Sequence, residues 1–335
     1  MKLYAIIAVR VQATEILRAP RFLDKLRQAF GGTPDLRTGE MRSAIEAAAL
    51  VEAARDALRK IGATNAISLV IDDTVLFHDR AGHPDDLGDL FLAFAENESV
   101  FGQGFDELRL AVEHREAGLH LVVEVQARPV HAPTAPANRI IVSGRIDALT
   151  PKPGDDAESF RKRAEPVAGD PRALEVHRMQ FEAFVDRLRD AVAAAMPTAK
   201  VEVETAEARV VRPDPEHRPE QAQPSNAPGY DPYLAYYPSP LGFLPEALLW
   251  STLFSMAMPP HYVVVDHDNH PQGFVDEPGI DTASTHVADD GGDTGWGSDD
   301  PTAGTADGDL GQGDADAGGD SWGMDAGGDL GGDDW

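Results

Sequence analysis

The chain has 335 residues, no cysteine and a net charge of −28. The absence of cysteine excludes disulfides, thiolate zinc sites and cysteine nucleophiles. All 29 lysines and arginines lie in residues 1–220, where 36 acidic residues leave a net charge of −7, whereas residues 221–335 hold 21 acidic residues and no basic one. The acidity therefore belongs mostly to the C-terminal part, and the N-terminal part lacks the basic surface typical of nucleic-acid binding.

The first apolar run, Leu3–Val9, is too short for a signal peptide and predicts a first β-strand. No stretch reaches the roughly 18 uninterrupted apolar residues of a membrane span, so we expect a cytoplasmic protein with no transmembrane segment. Arginine outnumbers lysine 23 to 6, which is typical of a GC-rich bacterial genome.

Residues 1–211 are predicted to form an α+β domain, with an antiparallel sheet and a few packed helices. Apolar residues at helical spacing predict helices at 13–30, 40–61 and 87–94. Alternating apolar residues predict two strands within 66–77, a meander through 108–112, 119–125 and 140–149 with one buried face, and a last strand at 200–211. Asp170 and Pro171 mark the start of a further helix, which carries an apolar stripe and ends before Pro197.

The chain changes character after residue 211. Residues 212–240 are rich in proline and tyrosine and are interpreted as a linker. Leu244–Met258 predicts a helix that is apolar almost all round, and such a helix must be covered. Docking of 241–274 on the chain's own domain is our first interpretation, and burial in an oligomer or at a membrane surface through 244–258 is the alternative.

Residues 275–335 are predicted to be disordered, because glycine, aspartate and small residues cannot bury enough apolar surface to fold. This acidic tail contains two isolated tryptophans and an acidic, aromatic end: Trp296, Trp322, and the terminal Asp333, Asp334 and Trp335. The arrangement resembles in type the acidic tails of bacterial single-stranded DNA-binding proteins, although the last residue here is Trp instead of Phe. The resemblance implies recruitment of a protein partner that has a basic pocket with an apolar floor.

A polar cluster follows the strand-like run at 262–265. Its imidazoles and carboxylates are competent ligands for a divalent transition metal, although a solvated turn explains the same residues. The candidate ligands are His261, Asp266, His267, Asp268 and His270.

The sequence contains no Gly-x-x-x-x-Gly-Lys, Gly-x-Ser-x-Gly or His-Glu-x-x-His pattern, so three large enzyme classes lack their usual signature. Our first hypothesis is a non-enzymatic interaction protein that recruits a partner through its acidic tail. A metal-binding protein or metal-dependent enzyme using the 261–270 cluster is the second hypothesis. A homo-oligomer or membrane-surface module using 244–258 is the third.

Overall fold

A computed structural model of the protein describes residues 1–11, 39–72, 74–79, 83, 87, 88, 90–96, 105–128, 138–214, 216, 218, 220–242, 244–254, 261–275, 277 and 280. The predicted helix at 13–30 lies outside these residues. So do residues 281–335 and the predicted partner-binding residues Trp296, Trp322, Asp333, Asp334 and Trp335. All described residues belong to one compact unit, Met1–Ala288.

The described residues contain nine strands: β1 Lys2–Arg10, β2 Asn65–Ile71, β3 Thr74–His78, β4 Leu108–Glu116, β5 Leu119–Ala127, β6 Asn138–Ile146, β7 Lys200–Val211, β8 Val263–Val265 and β9 Pro271–Phe274. They form one sheet in the order β3-β2-β4-β5-β6-β1-β7-β8-β9. Neighbouring strands are antiparallel except β7 and β8, which are parallel. The predicted α+β class and the β4–β5–β6 meander are confirmed.

Six α-helices lie within the described residues: α1 Gly39–Lys60, α2 Leu90–Glu96, α3 Ala157–Ala168, α4 Pro171–Ala195, α5 Pro232–Tyr236 and α6 Leu244–Phe254. The predicted start of α4 is confirmed, because the Asp170 side chain accepts a hydrogen bond from the Arg172 backbone N–H at 2.9 Å. Among the described helices, none combines the length and the apolar character needed to cross a bilayer.

One face of the sheet carries the main hydrophobic core. Helices α1 and α4 pack there against the odd-numbered residues of β1 and β5, such as Leu3 and Leu121. The stripe predicted on α4 is buried in this core at Phe181, Phe184 and Leu188. The apolar stripes of the helices and the alternating apolar residues of the strands thus form a single apolar layer.

The second face of the sheet is also covered, so the expectation of one solvated face is wrong. All nine residues of β5 are buried, including the polar residues His120, Glu124 and Gln126. The cover is residues 220–240, here called the tyrosine strap, whose tyrosines pack on strand residues of this second face such as Ala111, Val122 and Ile141. Polar alternation in β5 therefore reflects a hydrogen-bonded internal layer and not contact with solvent.

The chain after residue 211 packs on the same unit as the strands before it. Strand β8 pairs with β7, and Leu249, Trp250 and Tyr262 join the main core. Helix α6 ends at Phe254, and residues 255–258 of the predicted helix lie outside the described residues. Residues 212–240 were interpreted as a linker, whereas the strap within them contributes buried side chains and the short helix α5.

Candidate functional site

Five basic side chains form a row across five neighbouring strands on the second face. The strand register places Arg115 opposite His120, His120 opposite Arg145, Arg145 opposite Lys2 and Lys2 opposite Arg209. Residues directly opposite each other share a face, and like charges in such positions are destabilising. This basic row therefore needs carboxylates close by.

Asp231 of the tyrosine strap supplies one of these carboxylates. Its Oδ2 accepts a hydrogen bond from Arg145 Nη2 at 2.7 Å, and its Oδ1 accepts one from Ser143 Oγ at 2.5 Å. The same Oδ1 accepts the Tyr233 backbone N–H at 3.0 Å and so caps α5. Burial alone would raise the pKa of Asp231, but the charges of Arg145 and Lys2 hold it well below its usual value. Asp231 is therefore the ionised anchor of the strap.

Glu220 supplies the second carboxylate. It forms an ion pair with Lys2, whose Nζ lies 3.6 Å from Asp231 Oδ2 and donates a hydrogen bond to Asn269 Oδ1 at 3.2 Å. The side chains of four residues, here called the buried charge cluster, are 1–11 % exposed: Lys2, Arg145, Glu220 and Asp231. Removal of one partner from such a buried group leaves an uncompensated charge, which costs about 3–5 kcal/mol.

The other end of the basic row is a hydrogen-bonded chain of side chains. His120 Nε2 lies 2.8 Å from Glu113 Oε1, and His120 Nδ1 lies 2.8 Å from the Tyr233 hydroxyl. The hydrogen bond from His120, together with contacts from Tyr237 and Arg115, lowers the pKa of Glu113 to about 2. Burial raises the pKa of Tyr233 to about 12, so this hydroxyl keeps its proton at neutral pH. This series of hydrogen bonds holds the strap in a fixed position on the sheet.

Tyr230 fixes the strap to the middle of the sheet. Its hydroxyl donates a hydrogen bond to Glu124 Oε2 at 2.8 Å, and its carbonyl oxygen accepts one from Tyr4 Oη at 3.2 Å. Burial raises the pKa of Glu124, whose other carboxylate oxygen accepts a hydrogen bond from Gln126 at 2.6 Å. Because Glu124 is fully buried, its hydrogen bonds are essential to the stability of this layer.

A cavity of about 450 Å³ lies between this polar face, the tyrosine strap and the start of α6. That volume is within the range of sites that hold small organic molecules. Most of its wall is apolar, and includes Leu149, Val210, Pro240 and Leu249. The charged and aromatic residues that line it are Lys2, Arg115, His120, Arg145, Asp147, Lys152, Glu220, Tyr233, Tyr236, Tyr237 and Glu246.

Two polar groups at this cavity are buried with neither a hydrogen bond nor an ion pair in the described part of the chain. They are the Oε2 atom of Glu246 and the hydroxyl oxygen of Ser239. Burial and the nearby charge of Glu220 raise the pKa of Glu246 to about 7. Buried polar atoms in proteins are nearly always paired, so these two atoms are suited to contact with a further molecule.

Of the residues that the sequence suggested as metal ligands, His261 pairs with α4, and the other four lie in one turn. His261 Nε2 lies 3.2 Å from Glu175 Oε2 on α4. Asp266 closes a turn, because its Oδ1 accepts the backbone N–H groups of Asp268 at 3.0 Å and His270 at 2.8 Å.

The two remaining imidazoles each lie within 4 Å of one or two carboxylates. His267 lies 3.5 Å from Asp214 and 3.2 Å from Asp268, and His270 Nδ1 lies 3.6 Å from Asp266 Oδ2. Within the ranges that the structure describes, no group of three or more His, Asp or Glu side chains is placed to hold a metal ion.

The residue of this turn that matters most for the strap is Asn269, which was not among the predicted metal ligands. Its φ of 63° is left-handed, and its Nδ2 donates a hydrogen bond to the Gly229 carbonyl at 3.0 Å. A side chain at Gly229 would lie 2.1 Å from the Asp268 carbonyl oxygen, so only glycine fits there. The turn thus holds the strap against Lys2.

The buried charge cluster and Glu246 were not among the site residues predicted from the sequence. The available signals were a lysine and an arginine inside strands, polar alternation in β5, and four tyrosines in a proline-rich stretch. No protein-family model, curated protein or solved structure matches the chain.

Proposed function

We propose that the protein is a non-enzymatic interaction protein, in which the folded part carries an acidic, tryptophan-containing tail that binds a protein partner. The observation that carries this proposal is the charge distribution of the sequence. No lysine or arginine follows Arg218, and residues 221–335 hold 21 acidic residues. A long acidic segment with isolated tryptophans fits a partner surface that combines cations with an apolar pocket.

The ion pairs of the folded part support an external partner for the tail. Twelve arginines already lie within 4 Å of a carboxylate on the same chain: Arg10, Arg55, Arg109, Arg115, Arg128, Arg145, Arg163, Arg178, Arg187, Arg189, Arg209 and Arg218. A second carboxylate would have to compete with these pairs. The tail is therefore expected to find its cations on another molecule.

The contacts near residue 280 show which changes in the tail leave the folded part intact. The Val275 backbone N–H donates a hydrogen bond to the Tyr262 carbonyl at 3.0 Å, and Ile280 packs against the main core. Substitutions after residue 280 therefore leave the described contacts untouched, whereas a truncation at 275 would remove some of them.

The test is quantitative affinity capture from a bacterial lysate with the full-length protein and a W296A/W322A/W335A variant. We expect the variant to lose about tenfold or more of each specifically captured protein, because aromatic anchors dominate such contacts. Capture should also fall as salt is raised, since the carboxylates contribute electrostatic attraction.

A V176A/M179A variant is the matched control, because both side chains are about half exposed on α4 and their removal takes apolar surface from the folded part. It should capture the same proteins as the unaltered chain. Equal capture by the tryptophan variant and the unaltered protein would contradict the proposal.

A further inference from the structure

The cavity beneath the tyrosine strap combines an apolar wall with a carboxyl group, that of Glu246, which forms no ion pair among the described residues. We propose that it binds a primary organic amine, with the ammonium group between Glu246 and Glu220 and the apolar body along Leu149 and Leu249. This site is separate from the tail and does not depend on the proposed function.

Among the carboxylates that line the cavity, Glu246 is the one without an ion pair in the described part of the chain. Glu220 is engaged by Lys2, and Asp147 is engaged by Arg115 at 3.5 Å. Asp231, next to the cavity, is engaged by Arg145 at 2.7 Å. An added positive charge beside Glu246 would supply the ion pair that this carboxyl group lacks.

The hydrogen-bonding capacity of the site matches an ammonium group. Glu246 Oε2 and Ser239 Oγ are buried acceptors without a partner among the described residues. An ammonium group carries three N–H donors, whereas a quaternary ammonium carries none. The site therefore favours a primary amine over a fully alkylated one.

The aromatic wall of the cavity is consistent with a cationic ligand. Tyr233, Tyr236 and Tyr237 all line it, and the faces of tyrosine rings attract cations. Arg145 already uses one such face, because its Cζ lies 4.5 Å from the Tyr233 ring centroid.

An anionic ligand fits less well beside Glu246, because Arg145 and Arg115, two of the four basic side chains that line the cavity, are already engaged. Arg145 donates to Asp231, Ser143 and the Gly144 carbonyl, and Arg115 is paired with Glu113 at 2.9 Å and Asp147 at 3.5 Å. An added carboxylate would meet Glu220 and Glu246 in a largely apolar cavity, where repulsion between like charges is strong.

The protonation of Glu246 agrees with this assignment. Burial and the charge of Glu220 raise the pKa of Glu246 to about 7, so its carboxyl group holds a proton where an ordinary glutamate is ionised. Burial and Arg145 lower the pKa of the Met1 α-amino group, which borders the same cavity, to about 5. A lowered pKa makes that amine a poor partner for the Glu246 carboxylate.

The experiment is calorimetric titration of the full-length protein at about pH 8 with hexylamine, hexan-1-ol and hexanoate, which share one apolar body and differ in the head group. We expect one hexylamine per chain, and about tenfold or greater weakening for the alcohol and the carboxylate, because hydrogen bonds to charged groups are the stronger ones.

Glu246→Gln tests the position of the head group. It should weaken hexylamine binding about tenfold and leave hexan-1-ol binding unchanged, because the amide keeps the shape and removes the charge. Glu202→Gln is the control, since Glu202 lies on β7 outside the cavity, pairs with Lys200 at 2.8 Å and has a side chain 45 % exposed. It should bind hexylamine as the unaltered protein does.

Three results would overturn the proposal: no hexylamine binding by the unaltered protein, equal binding of the alcohol or the carboxylate, or unchanged hexylamine binding by Glu246→Gln. Circular dichroism establishes whether the variant is folded. Should it be unfolded, the comparison of the three ligands on the unaltered protein decides the question.

Discussion

The two faces of the sheet are covered by different physical means. On the first face, α1 and α4 bury apolar stripes against the strands. On the second face, the tyrosine strap is held by the buried charge cluster and by tyrosine hydroxyls bonded to Glu124 and His120. Apolar packing depends on shape and area, whereas a buried polar layer depends on every group being paired. The second face should therefore be more sensitive to single polar substitutions and to pH.

The largest effect should come from Asp231→Ala, which leaves Arg145 and Lys2 buried beside the cavity without their shared carboxylate. We expect a loss of about 3–5 kcal/mol in the free energy of unfolding, measured by denaturant titration. Hydrogen exchange should show the strap opening before the rest of the sheet.

Phe184→Ala on α4 is the matched substitution on the first face, where Phe184 is fully buried. It should cost a similar free energy through the cavity that it leaves, and it should weaken the whole unit evenly. Equal loss of protection in the strap and in α4 after Asp231→Ala would contradict the difference between the two faces.

An intermediate effect is expected for Glu246→Gln on the dependence of stability on pH. The folded-state pKa of Glu246, about 7, lies above the ordinary value of 4.5. The folded state therefore binds more protons between these values, and stability falls as pH rises from about 5 to 7.5. The charged groups facing this carboxyl are Glu220, Lys2 and the Met1 α-amino group.

The variant should remove this slope, so that it is more stable than the unaltered protein by on the order of 2 kcal/mol at about pH 8 and close to it at about pH 4.5. Thermal or denaturant unfolding across that range measures the difference. Parallel pH profiles for the two proteins would show that Glu246 is ionised in the folded state at neutral pH.

The smallest effect should come from Tyr230→Phe, which removes one hydrogen bond to the buried Glu124 and keeps the ring. We expect a loss of about 1–3 kcal/mol, because the carboxylate loses a donor in a dry environment. Tyr237→Phe is a useful comparison, since Tyr237 is only partly buried and contacts Glu113 near the cavity. A smaller loss there would show that burial sets the cost.

The sequence was sufficient for the first face of the sheet and insufficient for the second. Helix α4 could be predicted from Asp170, Pro171 and an apolar stripe, because these signals are local. The polar residues of β5 could not be assigned, because alternation looks the same whether the polar side meets water or a tyrosine strap.

The candidate site could not be predicted from the sequence for a related reason, because its residues are far apart along the chain. Lys2 meets Asn269 across 267 residues of sequence, and Tyr230 meets Glu124 across 106. No pattern of neighbouring residues in the sequence indicates pairs that are so far apart. The histidines at 261–270 were prominent in the sequence, but each is used in a local or pairwise contact in the structure.

The parallel pairing of β7 with β8 has a consequence for how the protein would respond to a protease. The 51 residues from 212 to 262 connect β7 with β8, and these two strands are adjacent in the sheet. This segment is therefore held in the sheet at both of its ends. A single cut in the exposed segment near Pro238 or Pro240 would therefore leave two fragments joined by the β7–β8 ladder and by Leu249 and Trp250 in the core. The nicked chain would stay assembled until it was denatured, and the two fragments could be exchanged as complementary halves.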